Sequence, residues 1–145
     1  MSLSENTITI VKRTAPVIGE HGQAVSERMY GILFSRHPDL KPLFAAAPAE
    51  QSFKLAGAIT AYAQNIDKLE NLSGAVNRIV ATHVRSGVVA EHYPVVADCL
   101  MEALDDVLGE AFTDDIKAAW TEAYQFLAGL LIDAEARLYA EQAAS

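Results

Sequence analysis

Apolar residues recur at helical spacing from one end of this chain to the other, and no segment alternates as a half-buried strand would. The breaks between the periodic segments carry the chemistry of helix ends. Ser4 can cap a first helix that turns Ile8, Val11, Ala15 and Ile18 to one side, with Pro16 placed to bend or weaken it. A second segment follows His21-Gly22 and sets Val25, Met29, Ile32 and Leu33 inward, with Tyr30 and Phe34 beside them. "RHPDLKPLF" holds two prolines within a few residues and reads as a corner rather than a long helix. Helical spacing resumes through Leu55, Ile59, Ala63 and Ile66, and again from Ser73 to a glycine stop at Gly87. Pro94 suits the first turn of the next helix, which ends at Gly109. Thr113 can cap the last and longest one, with Asp114 and Asp115 in its first turn. Six to eight helices on short links predict an all-α domain. The proline corner and the unequal helix lengths favour angled packing around an internal pocket over a plain four-helix bundle.

The bulk properties narrow the function. With 145 residues and 51% hydrophobic side chains, the chain suits one domain with one core. A formal net charge of -8 with scattered basic residues disfavours nucleic acid and anionic membranes as partners. No window nears 18 uninterrupted apolar residues, and "MSLSENTITIVKR" lacks the basic start and apolar run of a signal peptide, so the cytoplasm is the expected compartment. The single cysteine, Cys99, falls on an apolar stripe and reads as an inert core thiol.

What stands out is a small set of polar side chains on apolar stripes, where an unpaired polar group is costly. In "RIVATHVRSGVVAEHYP" His83 lies a helical turn from Ile79 and Val80 and faces inward. Gln51 precedes Leu55 by four residues on the inner face of its helix, Tyr30 sits between Met29 and Leu33, and Glu135 follows Leu131 by four. Tyr93 can reach back towards the glycine link. Each has an ordinary alternative. His83 can be a hydrogen-bonded core histidine, Gln51 a helix-start residue, the tyrosines core aromatics with satisfied hydroxyls, and Glu135 a side chain turned to water. His21, His37 and His92 fall near a glycine or in loops and read as solvent-facing. There is no CxxC, no HExxH and no second histidine at ligand spacing, so a metal site built by protein alone is poorly supported. No nucleophile-base pattern or phosphate-binding glycine loop is present either. One inward histidine in an all-α fold suits a single axial ligand to a large flat cofactor.

The segments "ERMYGILFSRHPDLKPLF", "QSFKLAGAITAYAQNI", "ATHVRSGVVAEHYPVV" and "AWTEAYQFLAGLLIDAEARLY" resemble the haem domain of flavohaemoglobins. They resemble still more closely the single-domain bacterial haemoglobins of the Vitreoscilla type. The likeness runs in order along essentially the whole chain and includes the polar positions. It implies a globin fold over residues 1–145 with no reductase domain, holding haem b (iron protoporphyrin IX). His83 matches the proximal ligand to iron, and Glu135 and Tyr93 match the residues that hydrogen-bond around its ring. Tyr30 matches the distal tyrosine and Gln51 the distal polar residue of the next helix. Leu55 and Phe44 match the distal leucine and the phenylalanine that wedges the haem. Two features depart from the flavohaemoglobin pattern: "AAAPAE" is a shorter connection, and Thr82 stands where a lysine is common.

The implied function is reversible oxygen binding at ferrous iron, with nitric oxide converted to nitrate at the expense of a separate flavin reductase. Oxygen, nitric oxide and carbon monoxide are the implied ligands. The resemblance allows a homodimer, although no exposed apolar patch can be read to build one. An oxygen storage or delivery protein without an enzymatic role, and a haem-free helical interaction module, are the alternative readings.

Overall fold

The structure is a computed structural model that describes residues 3–43 and 48–144; the side chains of residues 48–55 lie outside the description. The elements run α1 (Glu5–Glu20), α2 (Gly22–Arg36), a 3-10 helix (Pro38–Leu43), α3 (Pro48–Gln64), a 3-10 helix (Leu69–Leu72), α4 (Ser73–Ser86), α5 (His92–Leu108), a short 3-10 turn (Gly109–Ala111) and α6 (Asp114–Ala144). Six α-helices and no strand among the described residues match the expected class.

The helix ends follow local chemistry. The Ser4 hydroxyl accepts from Thr7 N–H at 3.2 Å and opens α1. Its backbone N–H and hydroxyl also reach the Glu122 carboxylate on α6, as does the Thr7 hydroxyl, so the start of α1 is tied to the far end of the sequence. Pro16 does not end α1, which continues to Glu20. Pro16 lies on the exposed side, where the carbonyl left without its N–H partner can turn to water. The two-proline corner is a 3-10 helix, a form that tolerates proline over a turn or two. Gly87 takes φ 87° and closes α4; its N–H donates to Val84 O at 3.2 Å, and Val88 N–H donates to His83 O at 2.9 Å. The Thr113 hydroxyl reaches Ile116 N–H at 3.5 Å ahead of α6.

Helices α1, α3 and α6 pack together, α2 lies on α3 and α5, and α4 packs on α6. The crossing of α2 and α3 is close because Gly22 presents no side chain: a Cβ there would stand 3.3 Å from that of Ala56. One large core gathers Val11, Ile18, Val25, Met29, Leu33, Leu104 and their neighbours. A second, smaller core of Val80, Tyr93, Ala128 and Leu131 sits where α4 and the start of α5 meet α6. Cys99 is buried in the large core, and burial pushes its thiol pKa up, which keeps it inert.

Candidate functional site

Helix α4 carries His83 half-buried on its inner side, one turn from buried Val80 and beside buried Val84. Its Nδ1 lies 2.9 Å from Glu135 Oε2 and 3.0 Å from the Tyr93 hydroxyl. Tyr93 enters from the first turn of α5 and donates to the Glu135 carboxylate at 2.7 and 2.8 Å. Glu135, on α6, is only 3% exposed. A carboxylate is an acceptor, so it takes the Tyr93 O–H and the His83 Nδ1–H together. That assignment leaves the opposite ring nitrogen, Nε2, with its lone pair free, and Nε2 has no hydrogen-bond partner among the described residues. Burial, and next the hydrogen bond to Glu135, hold the Tyr93 phenol well above its ordinary pKa, so it remains a donor.

Two further tyrosines hold this arrangement from α6. The Tyr124 hydroxyl donates to Tyr93 O at 2.8 Å, and the Tyr139 hydroxyl donates to Val88 O at 2.8 Å. Residues 124, 128, 131, 135 and 139 form one face of α6, separated by three or four positions. The same spacing, read forward and back from Glu135, is the signal that could have found both tyrosines in the sequence; neither was singled out there. Tyr139 fastens the link just after His83, so α6 grips both the imidazole and the backbone that follows it.

The structure therefore brings His83, Tyr93 and Glu135 together and excludes the solvent-facing alternative for Glu135. Tyr30 stands apart on α2, buried at 8% exposure, with its ring stacked on Phe34 at a centroid distance of 5.7 Å. Burial raises its phenol pKa to about 12, so it is a neutral O–H donor over the physiological range. Gln51 and Leu55 belong to α3 but their side chains lie outside the described residues, as does Phe44 altogether. Of the remaining histidines, His21 is exposed at the junction of α1 and α2, and His37 terminates α2. His92 differs from the loop reading: it is the first residue of α5, half-buried, and its Nδ1 accepts from Val89 N–H at 3.1 Å.

No group of three or more His, Cys, Asp or Glu side chains among the described residues could enclose a metal ion. A single imidazole with one open nitrogen and a carboxylate behind the other fits a different partner, an iron that would arrive already held by its own macrocycle.

An all-α fold with one histidine braced at one ring nitrogen and open at the other fits the class of haem proteins. The globin family model matches residues 27–131, and the chain belongs to the globin family. It is 48% identical to a globin-like protein of Aquifex aeolicus (strain VF5) over 139 residues, 96% of this chain and 99% of that one. It is 42% identical to a flavohaemoprotein of Rhizobium meliloti (strain 1021) over 94% of this chain but only 35% of that protein, so it spans about a third of such relatives. Among solved structures, an engineered carbene transferase aligns with a TM-score of 0.95 and 44% identity, over 98% of this chain and 99% of that one. The parent of that enzyme, from Rhodothermus marinus, carries a provisional assignment as a nitric oxide dioxygenase. Family membership and the donor set agree on a haem cofactor.

Proposed function

We propose that this globin holds haem b with His83 Nε2 as the axial ligand and Tyr30 on the opposite side, and that it supports conversion of nitric oxide to nitrate. The observation that carries the reading is the hydrogen-bonded set of His83, Tyr93 and Glu135. A buried carboxylate behind Nδ1 fixes the imidazole tautomer, limits rotation of the ring and makes Nε2 more electron-rich. Tyr93 shares the negative charge of Glu135 and holds the carboxylate in place while it faces the ring. Electron donation of this kind favours activation of a bound ligand over simple carriage.

Tyr30 supports the same reading from another wall. It stands on α2, which packs on α3 and α5, whereas His83 stands on α4, which packs on α6. Its neutral phenol can donate one hydrogen bond to a small ligand carrying partial negative charge, and its stacking on Phe34 limits where that hydroxyl can point. Gln51, Leu55 and Phe44 complete that side in this proposal. When bound, haem would supply reversible binding of oxygen, carbon monoxide and nitric oxide, and the redox chemistry by which oxygen converts nitric oxide to nitrate. Each turnover then needs one electron, and a separate flavin reductase is the proposed source. The absence of a helix long and apolar enough to cross a membrane, among the described residues, is compatible with the cytoplasm as the site of action.

Spectra of the purified protein with reductant, oxygen and carbon monoxide test the cofactor, and His83→Ala should abolish the haem spectrum. Nitrate measured after mixing the oxygenated protein with nitric oxide tests the activity. Many equivalents of nitrate in the presence of a reductase support the dioxygenase, whereas one equivalent that never recurs would leave an oxygen carrier. A colourless protein unable to take up haem would overturn both.

A further inference from the structure

Helix α4 differs from the rest of the molecule in charge. Every other helical element contains at least one Asp or Glu, and α4, "SGAVNRIVATHVRS", contains none. It carries instead Arg78 and Arg85, two turns apart, both exposed, on a face shared with exposed Gly74, Ala81 and Thr82. Four of the cations elsewhere answer carboxylates: Lys12 pairs with Asp67, Arg28 with Asp106, Arg36 with Glu102 and Lys117 with Asp105. Arg78 forms no ion pair among the described residues, and Arg85 reaches only the Thr82 hydroxyl at 3.5 Å. In a chain of net charge -8, the one helix without carboxylates presents two uncommitted guanidinium groups.

The position of that helix gives the charge a use. Helix α4 bears His83 on its inner side, and its packing partners are α6 and the 3-10 helix Leu69–Leu72, so its outer face meets solvent directly. A helix with its side chains is about 10–12 Å across, so a protein seated on that face comes within roughly one helix diameter of the imidazole. Arginine pairs readily with carboxylates, and an isolated positive strip on an acidic protein orients an acidic partner while the remaining surface repels it.

We propose that the outer face of α4, from Asn77 to Arg85, is the docking surface for an acidic electron-donor protein. This rests on the haem reading above. One electron leaves the reduced flavin of the donor and converts ferric iron to ferrous, with Arg78 and Arg85 holding carboxylates of the donor over the helix that carries the axial ligand.

The test uses the haem-loaded protein with photoreduced flavodoxin, an acidic flavin protein, as donor. An uncharged photoreduced deazaflavin serves as the control reductant. Reduction by flavodoxin should slow as salt rises, and Arg78→Glu with Arg85→Glu should lower its rate on the order of 10-fold at low salt. Arg78→Glu alone should give roughly a third of the wild-type rate, because the steering energy scales with the charge altered. The deazaflavin rate and the haem spectrum should stay as in the wild type. Independently of reduction, amide shifts on titrating the ferric protein with oxidised flavodoxin should cluster between Asn77 and Arg85. A flavodoxin rate within twofold of wild type in the double variant, or amide shifts that avoid α4, would overturn the surface. A protein that shows no haem spectrum would overturn the reading beneath it before any donor is added.

Discussion

Glu135 Oε2 lies 2.9 Å from His83 Nδ1 across 52 positions of sequence, and no other described carboxylate bonds to that ring. The contact decides which ring nitrogen is free, because the carboxylate accepts the Nδ1 proton and leaves Nε2 with its lone pair.

Replacing Glu135 with Gln keeps the shape and removes the charge. The amide must turn its oxygen to accept from either His83 or Tyr93, and its NH2 then faces a donor. The iron–histidine stretching frequency in ferrous protein should fall, and haem affinity should drop about 10- to 100-fold, the range for loss of a partner behind a ligating histidine. An unchanged frequency would remove Glu135 from the tuning of the ligand.

Tyr139→Phe separates backbone anchoring from ring tuning. The lost bond to Val88 O should cost about 0.5–1.5 kcal/mol of stability and speed haem loss, measured by transfer to an acceptor protein. The iron–histidine frequency should move less than in Glu135→Gln. An equal shift would mean that Tyr139 acts on the ring itself.

Tyr30→Phe removes the hydroxyl that the proposed function sets opposite His83. One hydrogen bond to a partly charged ligand is worth about 1.5–3 kcal/mol, so the oxygen dissociation rate should rise on the order of 10- to 100-fold. Flash photolysis or stopped-flow mixing measures it. A change below twofold would leave the contact to another residue.

High pH provides a separate test. Tyr30 has its pKa raised to about 12, and burial also pushes Tyr62, Tyr93 and Tyr124 upward. A group that holds its proton more tightly when folded contributes its full stability below the unfolded pKa, and loses it as pH rises through the folded value. For Tyr30 the window runs from about 10 to 12, and a two-unit shift corresponds to roughly 3 kcal/mol. Denaturation midpoints should stay level to pH 9 and then fall steeply as tyrosinate absorbance rises. A midpoint constant to pH 11 would contradict the buried phenols.

Gly87→Ala tests the end of α4. Its φ of 87° is left-handed, so a side chain there should cost about 1 kcal/mol and loosen the turn behind His83. Thermal melts and the haem-loss rate both report it.

Much of this architecture was legible in local chemistry. The Ser4 and Gly87 caps, the Gly109 stop and the helical spacing that turns His83 inward each depend on residues within one or two turns, and such effects act whatever the rest of the chain does. Pro16, the expected place for a bend or a weakening, does not end α1, because exposure on the outer side lets the stranded carbonyl meet water. His92 was read as solvent-facing, yet it closes the turn before α5. Both outcomes depend on which side of the helix or turn ends up against the body, and that is set by packing.

The sequence by itself determined an all-α chain with one inward histidine, since period and caps are local properties and the polar exceptions on the stripes are visible by spacing. The resemblance implied Glu135 and Tyr93 around that ring, and only the tertiary structure decided that their side chains meet it. Tyr93 lies ten positions away and Glu135 fifty-two, on helices brought together by the smaller core. The carboxylate meets Nδ1 because α6 runs past α4 with its 124–139 face inward. Spacing along a chain cannot report a distance between helices, and it was that distance which turned an inward imidazole into a braced one.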